Sequence, residues 1–265
     1  MLFAKKSLGQ HFLMHAATAE RIVAVSGVGK GDTVLEIGPG TGLLTRPLLA
    51  RAAKVIAVET DGALVETLKE TFAPEIAAGR LILLKEDVRT FDLGSIGGSY
   101  TLVANIPYYI TGEIIRLFLT TSHKPSSMTL LVQKEVAERI ARARKESLLS
   151  LSVKAYGSPK YQFTVPRGAF SPAPSVDSAV LSIEGIEKDS FASREEEARF
   201  FDVLHAGFAH KRKRLMKNLE DVAPIKDIEG AFAAIGLDRN ARSEDVELRE
   251  WRSLTKSLRT NAQNT

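Results

Sequence analysis

Short, nearly continuous apolar runs recur along the first half of the chain, at Thr33–Ile37, Lys54–Val58, Leu81–Leu84 and Thr101–Ala104, each bounded by glycine or polar residues. Runs of this length without polar alternation are the pattern of strands buried on both faces of a parallel sheet. Between them the apolar positions take helical spacing, as from Leu43 to Ala52, and β and α alternate in this way up to about residue 155. Two β-like runs then follow closely, Tyr161–Val165 and Val176–Ile183, and their proximity predicts an antiparallel pair. A polar stretch from Glu184 to Ser193 reads as a linker. Beyond it Glu195–Phe208, Ile228–Ile235 and Leu248–Leu258 have the apolar spacing of helices. The pattern predicts an α/β, Rossmann-like domain over 1–187, with a mostly parallel, doubly wound seven-stranded sheet closed by a hairpin. A small helical domain over 188–265 follows, with Asn261–Thr265 a disordered tail.

Candidate chemistry sits at the ends of the strands. Thr33–Ile37 runs straight into Gly38-Pro39-Gly40-Thr41-Gly42, a glycine turn that lets the backbone bend and a ligand approach without a β-carbon in the way. A dinucleotide site wants Gly-x-Gly-x-x-Gly, and Leu43 stands where its last glycine would fall. The spacing therefore favours S-adenosylmethionine over NAD. Glu59, at the end of the second run, is a carboxylate able to accept from both ribose hydroxyls, followed by Thr60. Asp87, after the third run and before Val88, is placed to accept from an adenine amino group. After the fourth run stands Asn105-Ile106-Pro107-Tyr108. An amide oxygen, a backbone carbonyl constrained by the following proline, and an aromatic face together suit methylation of an exocyclic base amine, whose lone pair is delocalised and which needs acceptors to draw it out. Asn-x-Pro also makes ordinary turns after strands.

Composition narrows the classes. A chain of 265 residues with 44% hydrophobic content can build a sizeable core, and no apolar run approaches the length of a membrane span. Lys5 and Lys6 precede no apolar signal segment, and with no cysteine there is neither disulfide nor thiolate chemistry. A cytoplasmic, monomeric protein is expected. No His-Glu-x-x-His pattern suggests a metal, and no Gly-x-Ser-x-Gly elbow suggests hydrolysis. The net charge of +4 fits an anionic partner, and its distribution says more than its sum. Lys211, Arg212, Lys213, Arg214 and Lys217 put five cations in seven positions, interleaved with Leu215, Met216 and Leu219, which could seat them on a helix facing RNA phosphates. A second set, Lys134, Arg139, Arg142, Arg144 and Lys145, belongs at least in part to a solvated surface.

Four motifs in order, Leu8-Gly9-Gln10-His11-Phe12-Leu13, Glu36 to Gly42, Asn105 to Thr111, and Phe170-Ser171-Pro172-Ala173-Pro174-Ser175-Val176-Asp177-Ser178-Ala179-Val180, carry a resemblance over most of the chain. The sequence resembles the small-subunit ribosomal RNA adenine N6,N6-dimethyltransferase family. The resemblance implies a class I methyltransferase fold, S-adenosylmethionine as cofactor, and dimethylation of two adjacent adenines near the 3′ end of that RNA, within an assembling small ribosomal subunit. It places cofactor contacts on His11, Leu13, Gly38, Glu59, Asp87 and Asn105, with Gln10, Gly40, Gly42, Thr60 and Val88 beside them. It also implies an amino-terminal flap, Gln10–Leu13, that orders over the cofactor. Asn105, Ile106, Pro107 and Tyr108 would hold the base, and Phe170 is expected either as a second aromatic wall or as a plain core residue. His11 and Tyr109 depart from the family, which commonly has asparagine at both. Three alternatives stay open: a large-subunit RNA adenine methyltransferase, a non-catalytic RNA-binding factor on the same fold, and an NAD-dependent oxidoreductase.

Overall fold

The apolar runs become strands because their side chains leave water on both faces: Val34, Leu35, Val55, Ala57, Leu102 and Val103 are fully buried. A computed structural model describes residues 9–187 and 189–258. Leu8, the Lys5-Lys6 pair and the tail from Asn261 lie outside the described residues. The strands are β1 (Phe12–Leu13), β2 (Thr33–Ile37), β3 (Lys54–Glu59), β4 (Leu81–Lys85), β5 (Thr101–Asn105), β6 (Ser127–Gln133), β7 (Ser158–Val165), β8 (Phe170–Ser171) and β9 (Ser178–Glu184). The helices are α1 (Ala16–Val25), α2 (Thr45–Arg51), α3 (Gly62–Thr71), α4 (Ala73–Ala77), α5 (Thr111–Thr120), α6 (Lys134–Ala141), α7 (Leu148–Lys154), α8 (Arg194–Phe208), α9 (Leu215–Leu219), α10 (Ile225–Ile235) and α11 (Leu248–Ser257).

The described chain divides into two units. The first, through residue 141 and again from Gly157 to the linker, holds a seven-stranded sheet in the order β4-β3-β2-β5-β6-β9-β7. The first five strands of that order run parallel, and β9 and β7 join antiparallel, β9 against β6 and β7 against β9. The architecture is α/β with a mostly parallel sheet closed by an antiparallel pair. From β2 the chain moves outward to β3 and β4, then returns to lay β5 on the other side of β2. The carboxyl ends of β2 and β5 therefore flank a topological switch point, where open α/β sheets bind ligands. One face of the sheet packs Val34, Val55 and Val103 against Ala19, Ile22 and Val23 of α1 and Leu48 and Leu49 of α2.

Beside that sheet lies a small one that periodicity does not reveal. β1 pairs antiparallel with β8, Phe12 opposite Ser171 and Leu13 opposite Phe170, and Met14 N donates to Ala169 O at 2.8 Å. Two-residue strands leave no period to read, and the pairing spans most of the domain's sequence.

The second unit comprises residues 142–156 and the chain from Asp189 onward. Residues 142–156 thus group with the carboxyl-terminal helices, whereas sequence pattern alone assigns them to the α/β domain. The cause is tertiary: the Tyr156 ring stacks on Phe201 and meets Phe191 edge-on, its hydroxyl donates to Glu197, and Arg252 Nη2 donates to Ala155 O at 2.8 Å. α7 begins with a capping box in which Ser147 and Ser150 satisfy each other's backbone amides. α8 starts at Ser193, whose hydroxyl accepts from Glu196 N at 3.2 Å, with Glu195, Glu196 and Glu197 in its first turn where the helix dipole favours negative charge. Gly236, at φ 69°, ends α10 in the left-handed conformation.

Trp251 of α11 is buried against α8, its ring stacked on Phe208 at 5.6 Å. Gly207 makes this possible, because a β-carbon there would stand 2.3 Å from Trp251 Cη2 and 2.9 Å from Leu215 Cδ1. Glycine inside a helix ordinarily costs about 1 kcal/mol relative to alanine. Here the sign reverses: Gly207→Ala should destabilise the helical unit by roughly 1–3 kcal/mol through overpacking. Urea unfolding followed by Trp251 fluorescence tests this, and a stabilised variant would contradict it.

Candidate active site

The carboxyl ends of β2, β3, β4 and β5 meet around a cleft of about 290 Å³. Its lining includes Gln10, His11, Leu13, Gly38, Gly40, Glu59, Thr60, Asp87, Val88, Asn105, Ile106, Pro107 and Tyr108, which the fold thus brings together from five separate segments. Parallel pairing sets the spacing: Ile37 lies opposite Val58 and Ala104, so the turn after β2 stands beside the ends of β3 and β5.

Gly38 and Gly40 adopt φ of 64° and 58°, which L side chains rarely accept. A β-carbon on Gly40 would sit 3.2 Å from the Phe12 ring, so this segment of the flap lies directly on the turn. Gly42, at φ 80°, does not line the cleft. Its missing side chain makes room for Phe72, whose ring a β-carbon would approach to 2.5 Å. The third glycine packs the turn onto α3 and its neighbours instead of facing a ligand.

Glu59 is buried, and its two oxygens accept from Gly40 N at 3.3 Å and Asp61 N at 3.0 Å. Burial raises its pKa, and these backbone donors oppose the shift. A carboxylate has about four lone-pair positions, so acceptor capacity remains for a ribose diol. Asp87 is already engaged: Arg89 offers its backbone N–H and Nε to Oδ1 at 3.0 Å, and Nε at 3.0 Å and Nη2 to Oδ2. The Arg89 side chain holds the Asp87 carboxyl below its ordinary range. Residue Arg89, unremarkable in sequence, is therefore part of the site.

Asn105 ends β5 and donates from Nδ2 to the carbonyl of His11 at 3.1 Å. A carbonyl can only accept, so this bond settles which way the amide faces and leaves Oδ1 as its acceptor. The His11 ring does something different. Its Nδ1 donates to Pro172 O at 2.7 Å, and the ring stacks over Tyr108 with centroids 5.8 Å apart and planes at 21°. The Tyr108 hydroxyl bonds Ser178 Oγ at 2.6 Å, and burial raises its pKa while Ser178 works against the shift, so the phenol stays neutral. Ser178, buried at the start of β9, fixes the Tyr108 plane, and only the pairing of β9 with β6 brings it there.

Phe170 is not a wall of the cleft. It is 5% exposed, packs in the core with Phe163, Val165 and Ala169, and its backbone pairs with Leu13. Alternation on β8 turns its ring to the core side, and His11 occupies the aromatic position against Tyr108 instead.

Within the helical unit, Lys211, Arg212, Lys213 and Arg214 are exposed, but they form the turn between α8 and α9 and not a helix face. Lys217 alone of the cluster lies on α9, where it pairs with Glu220 at 2.5 Å. Buried Asn218 scaffolds the turn by donating to Gly207 O at 2.5 Å and His210 O at 3.2 Å. In the second cationic set Lys145 is committed to Glu244 and Asp245, and Lys134 stands 3.9 Å from Glu138. Among the described residues no group of three metal-ligating side chains forms, and no helix is long and apolar enough to cross a membrane.

A glycine turn after the central strand, a buried carboxylate at the end of the next and an asparagine at the switch point, in this strand order, define a class I, Rossmann-like methyltransferase. The model of the ribosomal RNA adenine dimethylase family matches residues 1–260, and the chain belongs to that family. It is 40% identical over 259 residues to the ribosomal RNA small subunit methyltransferase A of Dehalococcoides mccartyi, covering 96% of this chain and 88% of the relative. Against the protein of the same name from Fusobacterium nucleatum it is 38% identical over 257 residues, covering 95% and 96%. Among solved structures it is similar to the 23S rRNA methyltransferase ErmE, with TM-score 0.77, 25% identity and coverage of 93% and 99%. A dimethyladenosine transferase from Plasmodium falciparum shares the fold at TM-score 0.80, 24% identity and coverage of 92% and 96%.

Proposed function

We propose that this protein uses S-adenosylmethionine to dimethylate the N6 amines of two adjacent adenines near the 3′ end of small-subunit ribosomal RNA, in an assembling small subunit. The observation that carries the reading is Asn105, which lines the cleft with the glycine turn and whose amide nitrogen is spent on the His11 carbonyl at 3.1 Å, leaving its oxygen as an acceptor. Membership in the adenine dimethylase family and relatives named for the small subunit support the RNA class.

The cleft fits the cofactor on its own chemistry: Gly38 and Gly40 form a cradle without β-carbons, and Glu59 offers a buried acceptor for ribose hydroxyls. When bound, S-adenosylmethionine supplies an electrophilic methyl group. Gly38, Gly40, Glu59 and Val88 would hold it, with Leu13 against its apolar surface. The chain's own residues then act on the base. Tyr108 supports the flipped adenine by stacking, which requires the His11 ring to share or yield that face. Asn105 Oδ1 and the Ile106 carbonyl accept from the amine and draw its nitrogen towards tetrahedral geometry. No side chain need act as a base, and orientation in a water-poor cleft supplies most of the acceleration.

The exposed turn Lys211–Arg214 is assigned to RNA phosphates, seated by Asn218. Replacing its four cations by alanine should flatten the salt dependence of RNA binding, by about 0.7 in slope for each single-strand phosphate no longer neutralised. An unchanged slope, measured by filter binding from low to moderate salt, would remove the turn from the interface.

The deciding experiment incubates the protein with S-adenosylmethionine and unmethylated small or large ribosomal subunits, then maps methylated adenines by mass. Dimethyladenine near the 3′ end of the small-subunit RNA is expected. Methylation confined to large subunits would move the protein to the activity named for ErmE, and no transfer to either would leave a binding factor.

A further inference from the structure

The residue after the Tyr108 platform points the other way. Tyr108 and Tyr109 lie in one turn of 3₁₀ helix, Tyr108–Ile110, in which successive side chains diverge by about 120°. Tyr108 turns inward to Ser178 and His11, whereas Tyr109 is 68% exposed at the mouth of the same cleft. An isolated exposed aromatic is ordinary on a protein surface. This one is supported: a β-carbon on Gly9 would stand 3.2 Å from Tyr109 Cε1 and 3.3 Å from Cδ1, so one edge of the ring rests on the Gly9 backbone, at φ 59°. Arg89 lines the same cleft, its guanidinium held by Asp87. A largely exposed ring propped at one edge, in a cleft whose lining also carries a cation, is an arrangement that can stack an unpaired base.

We infer that Tyr109 is the stacking platform for the nucleobase immediately next to the target adenine in single-stranded RNA. The inference rests on the proposed function and extends it by one subsite. When one base leaves its stack to lie on Tyr108, its neighbour loses a stacking partner, and Tyr109 offers it a largely exposed aromatic face in the same cleft. Stacking of this kind tolerates any base, so Tyr109 contributes to substrate retention, and the identity of the target is left to Asn105 and Ile106.

Two measurements test this with the full-length protein. In methyl transfer to unmethylated small subunits, Tyr109→Ala should raise KM about tenfold with kcat within twofold, and Tyr109→Trp should restore KM. Affinity for S-adenosylmethionine, by calorimetry, should be unchanged in both. In a short single-stranded RNA with 2-aminopurine beside the target adenine, binding should quench the probe with the native protein and not with Tyr109→Ala. An unchanged KM together with unaltered quenching overturns the subsite. So does a loss of cofactor affinity at constant KM, which would make Tyr109 a prop for the Gly9 segment. If the native protein transfers no methyl group, the proposed reaction fails, while Tyr109-dependent quenching would still report the subsite.

Discussion

Replacing Asn105 by alanine should lower methyl transfer by roughly 10²–10³, the usual cost of removing one preorganised polar group from a site where charge shifts in the transition state. Affinity for S-adenosylmethionine should stay within several-fold, because Gly38, Gly40 and Glu59 are untouched. The expectation depends on the division of labour within one amide. Nδ2 is spent on the His11 carbonyl at 3.1 Å, and Oδ1 is the atom left to grip the substrate amine. Asn105→Asp provides the sharper test. It preserves size and an acceptor but sets a carboxylate oxygen against the His11 carbonyl, two acceptors without a proton between them. Loss of transfer together with easier proteolysis of the segment ahead of Met14 is expected for Asn105→Asp. Single-turnover transfer with isotopically labelled methyl gives the rates directly. An undiminished rate in the alanine variant would end the role given to Asn105.

The second large effect concerns stability. Glu36, next to last in β2, is 1% exposed, neither of its oxygens has a hydrogen-bond partner, and its neighbours in register are Ala57 and Val103. Burial pushes its carboxyl from an ordinary 4.5 up to about 8, with the nearby Thr45 hydroxyl opposing the shift and the Glu59 charge adding to it. The folded protein therefore keeps a proton that the unfolded chain gives up above pH 4.5. Stability contributed by this group is full below that value and declines as pH rises towards 8, where the folded form ionises as well. Glu36→Gln removes the titration. At pH 5 the two proteins should be close in stability, and by pH 7–8 the glutamine variant should be more stable by on the order of 3 kcal/mol. Glu59 is shifted in the same direction, so some slope should persist in both, and the difference between them isolates Glu36. Urea unfolding at a series of pH values measures it, and parallel profiles would show that Glu36 is ionised in the folded state.

The site was unevenly legible in the sequence, for identifiable reasons. Gly38, Gly40, Glu59, Asp87 and the Asn105–Tyr108 tetrapeptide could be found because each follows directly on a buried apolar run, and parallel strands carry their carboxyl ends to one edge of the sheet. Gly42 shares the motif of its neighbours yet serves packing on Phe72, a distinction that depends on where α3 lies. Phe170 looked as suitable for a wall as for the core, and the choice was made by the pairing of β8 with β1. Ser178 and Arg89 carried no signal, since a serine at a strand start and an arginine after an acid are commonplace until Tyr108 and Asp87 stand beside them.

The order of strands and helices, the paired closing strands, the helical tail and the family motifs were set by local apolar spacing and residue type, which act over a few turns of chain and can be read along one dimension. The grouping of residues 142–156 with the helical tail, the engagement of Asp87 by Arg89, the placing of the cations on a turn over Asn218, and the direction of the Asn105 amide were decided only in three dimensions. Each depends on a donor meeting an acceptor, or a ring meeting a ring, in a geometry that no periodicity encodes.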